Sequence, residues 1–315
     1  MRVLLTGASG FVGKRLAHHL DRFDTTTLTC AVRRPGTSHY GDECVVDGLG
    51  ATTDWSGALN GKDVVVHTAA RAHIMRDKVS DSLAEYRKVN MQGTLNLGEQ
   101  AAKSGVRRFV FVSSIKVNGE HTLLGRPFTA GSKPAPGDAY GRSKFEAEQA
   151  LQTLGKESGM EVVIIRPPLV YGPGVKGNFA TLIRLVEKGL PLPFGAIHNK
   201  RSFVALDNLV DLIITCIDHP DAANEVFLVG DGEDLSTTEL LRGIGMAIGK
   251  PVHLVPVPER ALMICAALLG KRGVAQRLLG SLQVDISKAR DVLGWEPPIS
   301  VEEGLRRCFD SENAS

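Results

Sequence analysis

Short apolar runs alternate with longer amphipathic stretches through the first half of the chain. The runs end at turn residues and are typical of buried strands, whereas the longer stretches repeat apolar residues at helical spacing. Strands are predicted at residues 2–5, 26–32, 43–47, 63–67, 107–112 and 160–166, with helices at 14–20, at 82–103 and from Asp138 onward. This alternation of strand and helix predicts an α/β protein with a doubly wound parallel sheet.

A glycine-rich turn joins the first strand to the first helix, at Thr6 to Gly13. Gly7 permits the tight turn, Gly10 lets the backbone approach a pyrophosphate, and Gly13 lets the helix pack on the sheet. The free N–H groups at the start of the helix then face the phosphates. The turn predicts a Rossmann domain that binds a dinucleotide. Its expected cofactor contacts are Gly7, Ser9, Gly10, Phe11, Val12 and Gly13.

Beyond residue 175 the predicted strands and helices no longer alternate regularly. Helices are predicted at 179–188, 208–217, 236–248 and 259–269, strands at 202–206, 225–229 and 252–257, and two more helical segments after Leu282. These pieces suggest a smaller lobe that closes over the cleft. We therefore assign residues 1–170 and about 201–230 to the dinucleotide-binding domain, and residues 171–200 and 231–315 to a C-terminal substrate-binding lobe.

The end of the second strand indicates which dinucleotide is bound. An acidic residue there would bind the 2′-hydroxyl of NAD, whereas arginine suits the 2′-phosphate of NADP. This chain has Arg33 and Arg34 and no acid at that point, so we favour NADP(H) and keep NAD(H) as possible. The other candidate cofactor contacts are Asp47, Ala69, Ala70, Asn90 and Pro167.

Tyr140 and Lys144 are four residues apart, so on a helix both side chains point the same way. A nearby ammonium favours the phenolate and is expected to lower the pKa of Tyr140. Such a tyrosine can exchange a proton with an alcohol or ketone oxygen, while the nicotinamide exchanges a hydride at the same carbon. Ser113 and Ser114 end the strand at 107–112, and a serine hydroxyl there can hold the reacting oxygen.

The composition is that of an ordinary globular protein and excludes several other classes. Its 37 basic and 35 acidic residues give a net charge of +2, so no nucleic-acid surface is implied. Five cysteines, widely spaced and without a CxxC pair, fit reduced cytosolic thiols better than disulfides or a metal site. The apolar stretch at 261–269 is far shorter than the roughly 20 residues of a membrane span. The alternatives are a buried helix and contact with a membrane surface, and we favour the buried helix. We expect a cytoplasmic protein without a signal peptide.

Taken together, the motifs resemble those of the extended short-chain dehydrogenase/reductases, in the NAD-dependent epimerase/dehydratase family. The resemblance covers nearly the whole chain in the order of the family. The matching stretches are Thr6–Gly13, Val66–Ala70, Asn90–Asn96, Val112–Gly119, Tyr140–Lys144, Arg166–Gly174, Arg201–Asn208 and Leu293–Pro298.

The resemblance implies roles for individual residues. Ser114 and Tyr140 become catalytic, with Tyr140 as the acid/base, and Lys144 lowers the tyrosine's pKa and grips the nicotinamide ribose. Arg201 corresponds to an arginine that meets the diphosphate of a UDP-sugar, a task that suits its planar fork of donors. Ser113, Lys116 and Asn178 are the other implied substrate contacts. A homodimer formed through the helices near 82–103 and 138–158 is also implied.

Three departures from the family pattern bear on the reaction. Ile115 and Lys116 replace the Asp-Glu pair of the dehydratases, which argues against dehydration. Asn118 replaces the tyrosine of the family's V-Tyr-Gly motif, and Leu169 replaces a substrate-binding asparagine of many epimerases. The run from Ser113 to Glu120 resembles reductases of bacterial surface-polysaccharide sugars. We therefore expect an NADP(H)-dependent reductase of a UDP-4-keto-6-deoxy-N-acetylhexosamine. The alternative is a UDP-glucose or UDP-N-acetylglucosamine 4-epimerase that retains NAD, and a remote third reading is a non-catalytic NADP(H)-binding regulator.

Overall fold

A computed structural model describes residues 1–71 and 81–310 of the chain. Ten strands form two sheets within these residues. The strands are β1 (Arg2–Thr6), β2 (Thr27–Val32), β3 (Asp42–Val45), β4 (Val64–His67), β5 (Arg108–Val112), β6 (Glu161–Arg166), β7 (Leu169–Tyr171), β8 (Arg201–Ala205), β9 (Val226–Leu228) and β10 (Asp234–Leu235).

Twelve α-helices connect or cover the strands in the described part of the chain. They are α1 (Phe11–Leu20), α2 (Ser56–Leu59), α3 (Ser82–Tyr86), α4 (Thr94–Lys103), α5 (Ala139–Ser158), α6 (Gly177–Glu187), α7 (Leu206–Asp218), α8 (Thr237–Ala247), α9 (Glu259–Leu268), α10 (Arg272–Leu279), α11 (Ser287–Leu293) and α12 (Val301–Arg307). None of the helices in residues 1–71 and 81–310 is long and apolar enough to cross a bilayer.

The main sheet has seven parallel strands in the order β3-β2-β1-β4-β5-β6-β9. Strands β4 and β5 at its centre are buried along their whole length because helices cover both faces. On one face Leu16 of α1 and Leu209 of α7 enter the core, and on the other Leu97 of α4 and Leu151 of α5 do so. The doubly wound parallel sheet predicted from the sequence is therefore confirmed.

The strand order reverses between β1 and β4. The connection from β1 leads outward to β2 and β3, whereas the chain after β4 continues through β5 and β6 on the other side. In such sheets a ligand binds in the crevice beyond the carboxyl ends of the strands at the reversal. The glycine turn follows β1, and Thr68 and Ala69 follow β4, so both lie at this crevice.

The second sheet has three strands in the order β10-β8-β7. In the small core that it shares with α6, α8 and α12, Tyr171 stacks on Phe179, and Phe203 packs edge-on against Phe179. Strand β8 was assigned above to the dinucleotide-binding domain, but it pairs with β7 and β10 rather than with the main sheet. The later part of that stretch does reach the main sheet, because β9 pairs with β6.

Several local predictions differ from the structure. Residues 82–103 are not one α-helix, because a π-helical segment at Arg87–Gly93 separates α3 from α4. Residues 252–257 form no strand and contribute only a bridge between Leu192 and Leu254. Helix α10 was not predicted. Helix α9 has no buried residue, so the expectation of a buried helix there is wrong.

Candidate active site

The glycine turn packs tightly against the residues that follow β4. Gly7 has φ +77°, and a Cβ on it would lie 2.6 Å from Oγ1 of Thr68. A Cβ on Gly13 would lie 2.1 Å from the Gly7 carbonyl oxygen, so only glycine fits either position. The N–H of Gly10 donates to that same carbonyl at 2.8 Å. The turn leaves room for a phosphate because no side chain fills it.

The start of α1 is well suited to bind an anion. Gly10 is its N-cap and supplies no side chain to the first N–H groups, and no acidic residue lies in the first turn. Ser9, Gly10 and Phe11 line a cavity of about 470 Å³ that Lys14 and Lys176 also line. Neither lysine was predicted from the sequence to line this cavity. Lys176 comes from a loop far along the chain, and the sequence does not show that this loop lies beside the glycine turn.

The crevice beside the ends of β2 and β3 is open and carries exposed charged side chains. Arg33 and Arg34 are exposed directly after β2, and Asp47 is exposed after β3. The carboxylate of Glu43 accepts from the N–H groups of Gly36 and Ser38, at 2.6 Å each, which fixes the turn that follows the arginines. Those hydrogen bonds hold the pKa of Glu43 below its usual value.

Asn90 is fully buried in the π-helical segment. Its amide donates to Oγ of Ser143 at 3.1 Å and to the carbonyl of Arg71 at 3.2 Å, and it accepts from the N–H of Arg71 at 2.8 Å. Asn90 therefore ties the chain after β4 to the helix that carries Tyr140. Ala69 and Ala70 lie on that stretch and are partly exposed, while Pro167 is buried at the end of β6.

Lys144 is buried on the inner face of α5, with 2% exposure. Its Nζ donates to the carbonyl of Val112 at 2.9 Å and lies 4.4 Å from the ring centroid of Phe111. Desolvation lowers the pKa of Lys144 to about 7, although Glu148 acts in the opposite direction. The lysine is thus fixed at the carboxyl end of β5.

Tyr140 lies in the first turn of α5, and its ring packs edge-on against Tyr86 at 5.9 Å between centroids. Desolvation raises the pKa of Tyr140 above its ordinary value, and the charges of Asp138 and Tyr86 act in the same direction. We expected Lys144 to lower this pKa. Instead, the pKa of Tyr140 is raised and that of Lys144 is lowered, because burial disfavours the charged form of both side chains.

Ser114 follows β5 in extended conformation and lies beside the start of α5. Its hydroxyl accepts from the N–H of Lys116 at 3.3 Å, which begins a short 3₁₀ turn. That turn packs closely on α5, because a Cβ on Gly141 would lie 2.7 Å from the Lys116 carbonyl oxygen. Lys116 also pairs with Asp138, the N-cap of α5. Ser114 and Tyr140 therefore lie on the same edge of the sheet.

Ser113 points away from that edge and into the core. Its hydroxyl donates to Glu148 at 2.5 Å, and Glu148 also holds the guanidinium of Arg166 through two hydrogen bonds of 2.9 and 2.5 Å. Arg166 extends the network to Asn118 at 3.0 Å. The structure thus gives the hydroxyl of Ser113 a buried partner, and the substrate contact that the resemblance implied for Ser113 stays a prediction. The sequence did not reveal the pair Glu148–Arg166.

We expect Glu148→Gln to lower the free energy of unfolding by about 3–5 kcal/mol, because it leaves the buried guanidinium of Arg166 without a counter-charge. Urea denaturation measures this loss. Glu146→Gln is the matched control on the same helix, because Glu146 pairs with the more exposed Arg87 and its loss should cost about 1 kcal/mol or less. Equal losses in the two variants would contradict the proposed importance of the buried pair.

The structure fixes the side chain of Arg201 by a hydrogen bond and leaves that of Asn178 exposed. Nη1 of Arg201 donates to the carbonyl of Gly280 at 2.9 Å, and burial lowers the pKa of its guanidinium. Asn178 is exposed in the first turn of α6. Arg201 is therefore held in place by the protein, whereas nothing in the described contacts fixes Asn178.

Comparisons with known proteins agree with this architecture. The chain belongs to the NAD dependent epimerase/dehydratase family, whose model matches residues 3–230. It is 53% identical over 306 residues to a UDP-glucose 4-epimerase of Vibrio cholerae, covering 97% of this chain and 93% of that protein. This membership confirms the expected enzyme class, an NAD-dependent epimerase or oxidoreductase of the extended short-chain type.

Two solved structures show the same fold. A UDP-glucose 4-epimerase from Thermotoga maritima with UDP-glucose is 23% identical with a TM-score of 0.76, covering 98% of this chain and 97% of that one. A UDP-glucuronic acid 4-epimerase from Bacillus cereus with NAD is 23% identical with a TM-score of 0.79, covering 98% and 96%.

These findings correct the expected reaction. We expected a reductase of a UDP-4-keto-6-deoxy-N-acetylhexosamine, but the relative with 53% identity is a 4-epimerase. The expectation of a reductase is therefore wrong, and the alternative of a retained-cofactor epimerase is better supported. The reason is chemical: both reactions exchange a hydride at C4 and a proton at O4, so the predicted catalytic residues Ser114, Tyr140 and Lys144 do not distinguish them.

Proposed function

We propose that this protein is a UDP-glucose 4-epimerase, which interconverts the two configurations at C4 of the UDP-linked hexose. The observation that carries the proposal is the 53% identity to the Vibrio cholerae enzyme across 97% of this chain. The convergence of Ser114, Tyr140 and Lys144 at the edge of the sheet where ligands bind supports it.

The reaction requires that C4 lose its hydrogen and regain it from the opposite face of the sugar. A bound nicotinamide supplies this chemistry by accepting a hydride and returning it. In our proposal Tyr140 takes the proton of the O4 hydroxyl and later returns it, while the hydroxyl of Ser114 holds that oxygen in place. Lys144 lies one helical turn further along α5. Burial raises the pKa of Tyr140 in the protein alone, and in our proposal the cation of Lys144 favours the phenolate once substrate and dinucleotide are bound.

The cofactor fits the cradle at the start of α1. The closed contacts of Gly7 and Gly13 and the uncapped N–H groups after Gly10 suit a pyrophosphate. We assign the remaining contacts of the dinucleotide to the residues named from the sequence, namely Ser9, Phe11, Val12, Asp47, Ala69, Ala70, Asn90 and Pro167, and the ribose of the nicotinamide to Tyr140 and Lys144. This assignment makes residues 1–170, with part of 201–230, the dinucleotide-binding domain and the rest the substrate lobe.

We assign the UDP moiety of the substrate to the second sheet and the loops beside it. Arg201 is the proposed partner of the diphosphate, because its fixed guanidinium can make paired hydrogen bonds to phosphate oxygens. Lys116 and Asn178 are proposed as further contacts on either side of the sugar. In this proposal Ser113 acts indirectly, because its hydroxyl donates to Glu148, which lies on the same helix as Tyr140 and Lys144.

Arg33 and Arg34 support a further proposal, that the site prefers NADP(H) over NAD(H) through contacts with the 2′-phosphate. We expect the double variant Arg33→Asp/Arg34→Ser to weaken NADP⁺ binding by about 100-fold, roughly 3 kcal/mol, and NAD⁺ binding far less. Isothermal titration with each dinucleotide measures this. Arg22→Ser, an exposed arginine at the other end of α1, is the control. Equal weakening of both dinucleotides would refute the preference.

Two broader proposals complete the assignment. We propose a homodimer formed through α3, α4 and α5, which the family resemblance implies, and sedimentation of the purified chain would test it. We also place the enzyme in the cytoplasm, in keeping with the five cysteines, each of which has a free thiol.

The decisive assay for the function uses the full-length protein with UDP-galactose and a coupled readout for UDP-glucose. We expect interconversion without consumption of NAD⁺ or NADP⁺, because the cofactor is restored in each turnover. A parallel reaction with UDP-N-acetylglucosamine tests whether the N-acetylated sugar is also accepted. Absence of interconversion with both sugars, in protein shown to bind the dinucleotide, would overturn the proposal.

A further inference from the structure

Helix α9 presents an apolar face to solvent. No residue of α9 is buried, and Ile264 and Leu268 are 62% and 83% exposed, followed by Leu269 at 71%. The opposite side of the helix contacts the substrate lobe through Leu262, Met263 and Ala266. Large side chains so exposed, and so close together, are typical of a surface that has a binding partner.

Helix α10 continues this face, because Val274 is 49% exposed. We name the surface formed by Ile264, Leu268, Leu269 and Val274 the α9–α10 face. The loop between the two helices is only three residues long, so all four side chains project from one compact hairpin.

Cationic side chains border the α9–α10 face. Residues 255–280 contain four of them against the single carboxylate of Glu259, a net charge of +3 in a chain whose whole net charge is +2. Arg260, Lys271 and Arg272 are exposed, and in residues 1–71 and 81–310 none of them has a carboxylate partner. Lys271 and Arg272 follow Leu269 almost directly.

We infer that the α9–α10 face binds the surface of an anionic phospholipid bilayer. An exposed apolar face bordered by Lys and Arg is the pattern of a segment that lies in the membrane interface: the apolar side chains enter the acyl boundary and the cations meet the headgroups. The inference does not depend on the proposed epimerase activity, because no residue of the face belongs to the candidate active site.

A second copy of the chain is a poorer occupant of this face. In a two-fold dimer the same patch meets itself, so Lys271 and Arg272 of one copy would approach those of the other. Like charges so close are repelled, and most strongly where water is excluded. A bilayer with anionic headgroups has the opposite sign of charge and accepts the apolar side chains as well.

The α9–α10 face is joined to the candidate substrate site through the end of α10. The carbonyl of Gly280 accepts from Arg201 at 2.9 Å, and the carbonyl of Leu278 accepts from Asn199 at 3.1 Å. Binding to a bilayer would therefore orient the substrate lobe toward the membrane.

Flotation of the full-length protein with vesicles tests the inference. We expect binding to vesicles made of equal parts phosphatidylglycerol and phosphatidylcholine, and at least about tenfold weaker binding to phosphatidylcholine alone. Leu268→Glu/Leu269→Glu and Lys271→Glu/Arg272→Glu should each lower binding to the anionic vesicles by about tenfold or more. Leu123→Glu/Leu124→Glu, at two equally exposed leucines elsewhere, is the matched control and should bind like the parent.

The outcomes separate the possible occupants. Failure of the parent protein to float with anionic vesicles, or loss of binding in the control as much as in the face variants, would overturn the inference. A dimer that dissociates in the Leu268→Glu/Leu269→Glu variant, with no vesicle binding by the parent, would instead assign the face to a second copy. Epimerase turnover in solution should be unchanged in all of these variants, so a failed activity assay and a failed flotation assay have different meanings.

Cys265 offers an independent measurement because it is exposed on the same helix. An environment-sensitive fluorophore on this thiol, in a Cys44→Ser/Cys308→Ser background, should shift its emission to the blue when anionic vesicles are added. An unchanged spectrum in the presence of bound vesicles would show that some other surface makes the contact.

Discussion

Replacing Tyr140 by Phe is expected to lower the kcat of UDP-galactose epimerisation by about 10²–10⁴-fold. The change removes the hydroxyl that exchanges the O4 proton, and general acid–base catalysis contributes a factor of this size. The ring of Tyr140 packs against Tyr86, and phenylalanine keeps that contact. We therefore expect KM and the melting temperature to change little.

Tyr86→Phe is the control for Tyr140→Phe. It removes a second hydroxyl beside the first and keeps the edge-on ring contact, so a loss confined to Tyr140→Phe identifies the proton-transfer group. Steady-state kinetics with UDP-galactose, together with dinucleotide titration of each variant, provides the comparison. A Tyr140→Phe enzyme as active as the parent would remove Tyr140 from the mechanism.

Gly13→Ala should nearly abolish dinucleotide binding. The new Cβ would lie 2.1 Å from the Gly7 carbonyl oxygen and 2.9 Å from Oγ1 of Thr68, so the turn after β1 must open. Displacing the phosphate cradle by an ångström is expected to cost about 100-fold in affinity and in turnover. The strain should also lower the free energy of unfolding by about 1–3 kcal/mol.

Gly57→Ala is the matched control for this steric prediction. Gly57 lies in α2, and a Cβ there would meet no atom within 4 Å. Its replacement should leave dinucleotide affinity unchanged and leave stability equal or slightly higher. Fluorescence titration with the reduced dinucleotide and thermal unfolding measure both quantities. Normal affinity in Gly13→Ala would mean that the turn does not bind the pyrophosphate.

Sequence patterns alone predicted the strands and helices that depend mainly on interactions between residues close together in the chain. The apolar runs predicted all seven strands of the main sheet, and Asp138, from which a helix was predicted, is the N-cap of α5. Strand β7 was missed because Pro167 and Pro168 precede it. The π-helical segment was missed because Asn90 is held there by Arg71 and Ser143, partners that periodicity does not show.

The candidate site was predictable in its positions but not in its reaction. Tyr140, Lys144 and Ser114 meet at one edge because parallel strands and their helices bring their ends together. The direction of hydride transfer and the fate of the cofactor depend on how tightly the protein binds each form of the dinucleotide, which these residues do not reveal. Only similarity to a characterised relative separated an epimerase from a reductase. The hydrogen bond between Ser113 and Glu148 depends on long-range packing and likewise could not be predicted from the sequence.

The burial of Lys144 lowers the stability of the folded chain at a position where we propose a role in catalysis. Its pKa of about 7 in the folded chain lies well below the value of about 10.4 expected after unfolding. The folded chain thus binds fewer protons between these values, and its resistance to unfolding should increase with pH across that interval. A screen that rewards heat tolerance alone would favour Lys144→Met, a variant that we expect to be inactive.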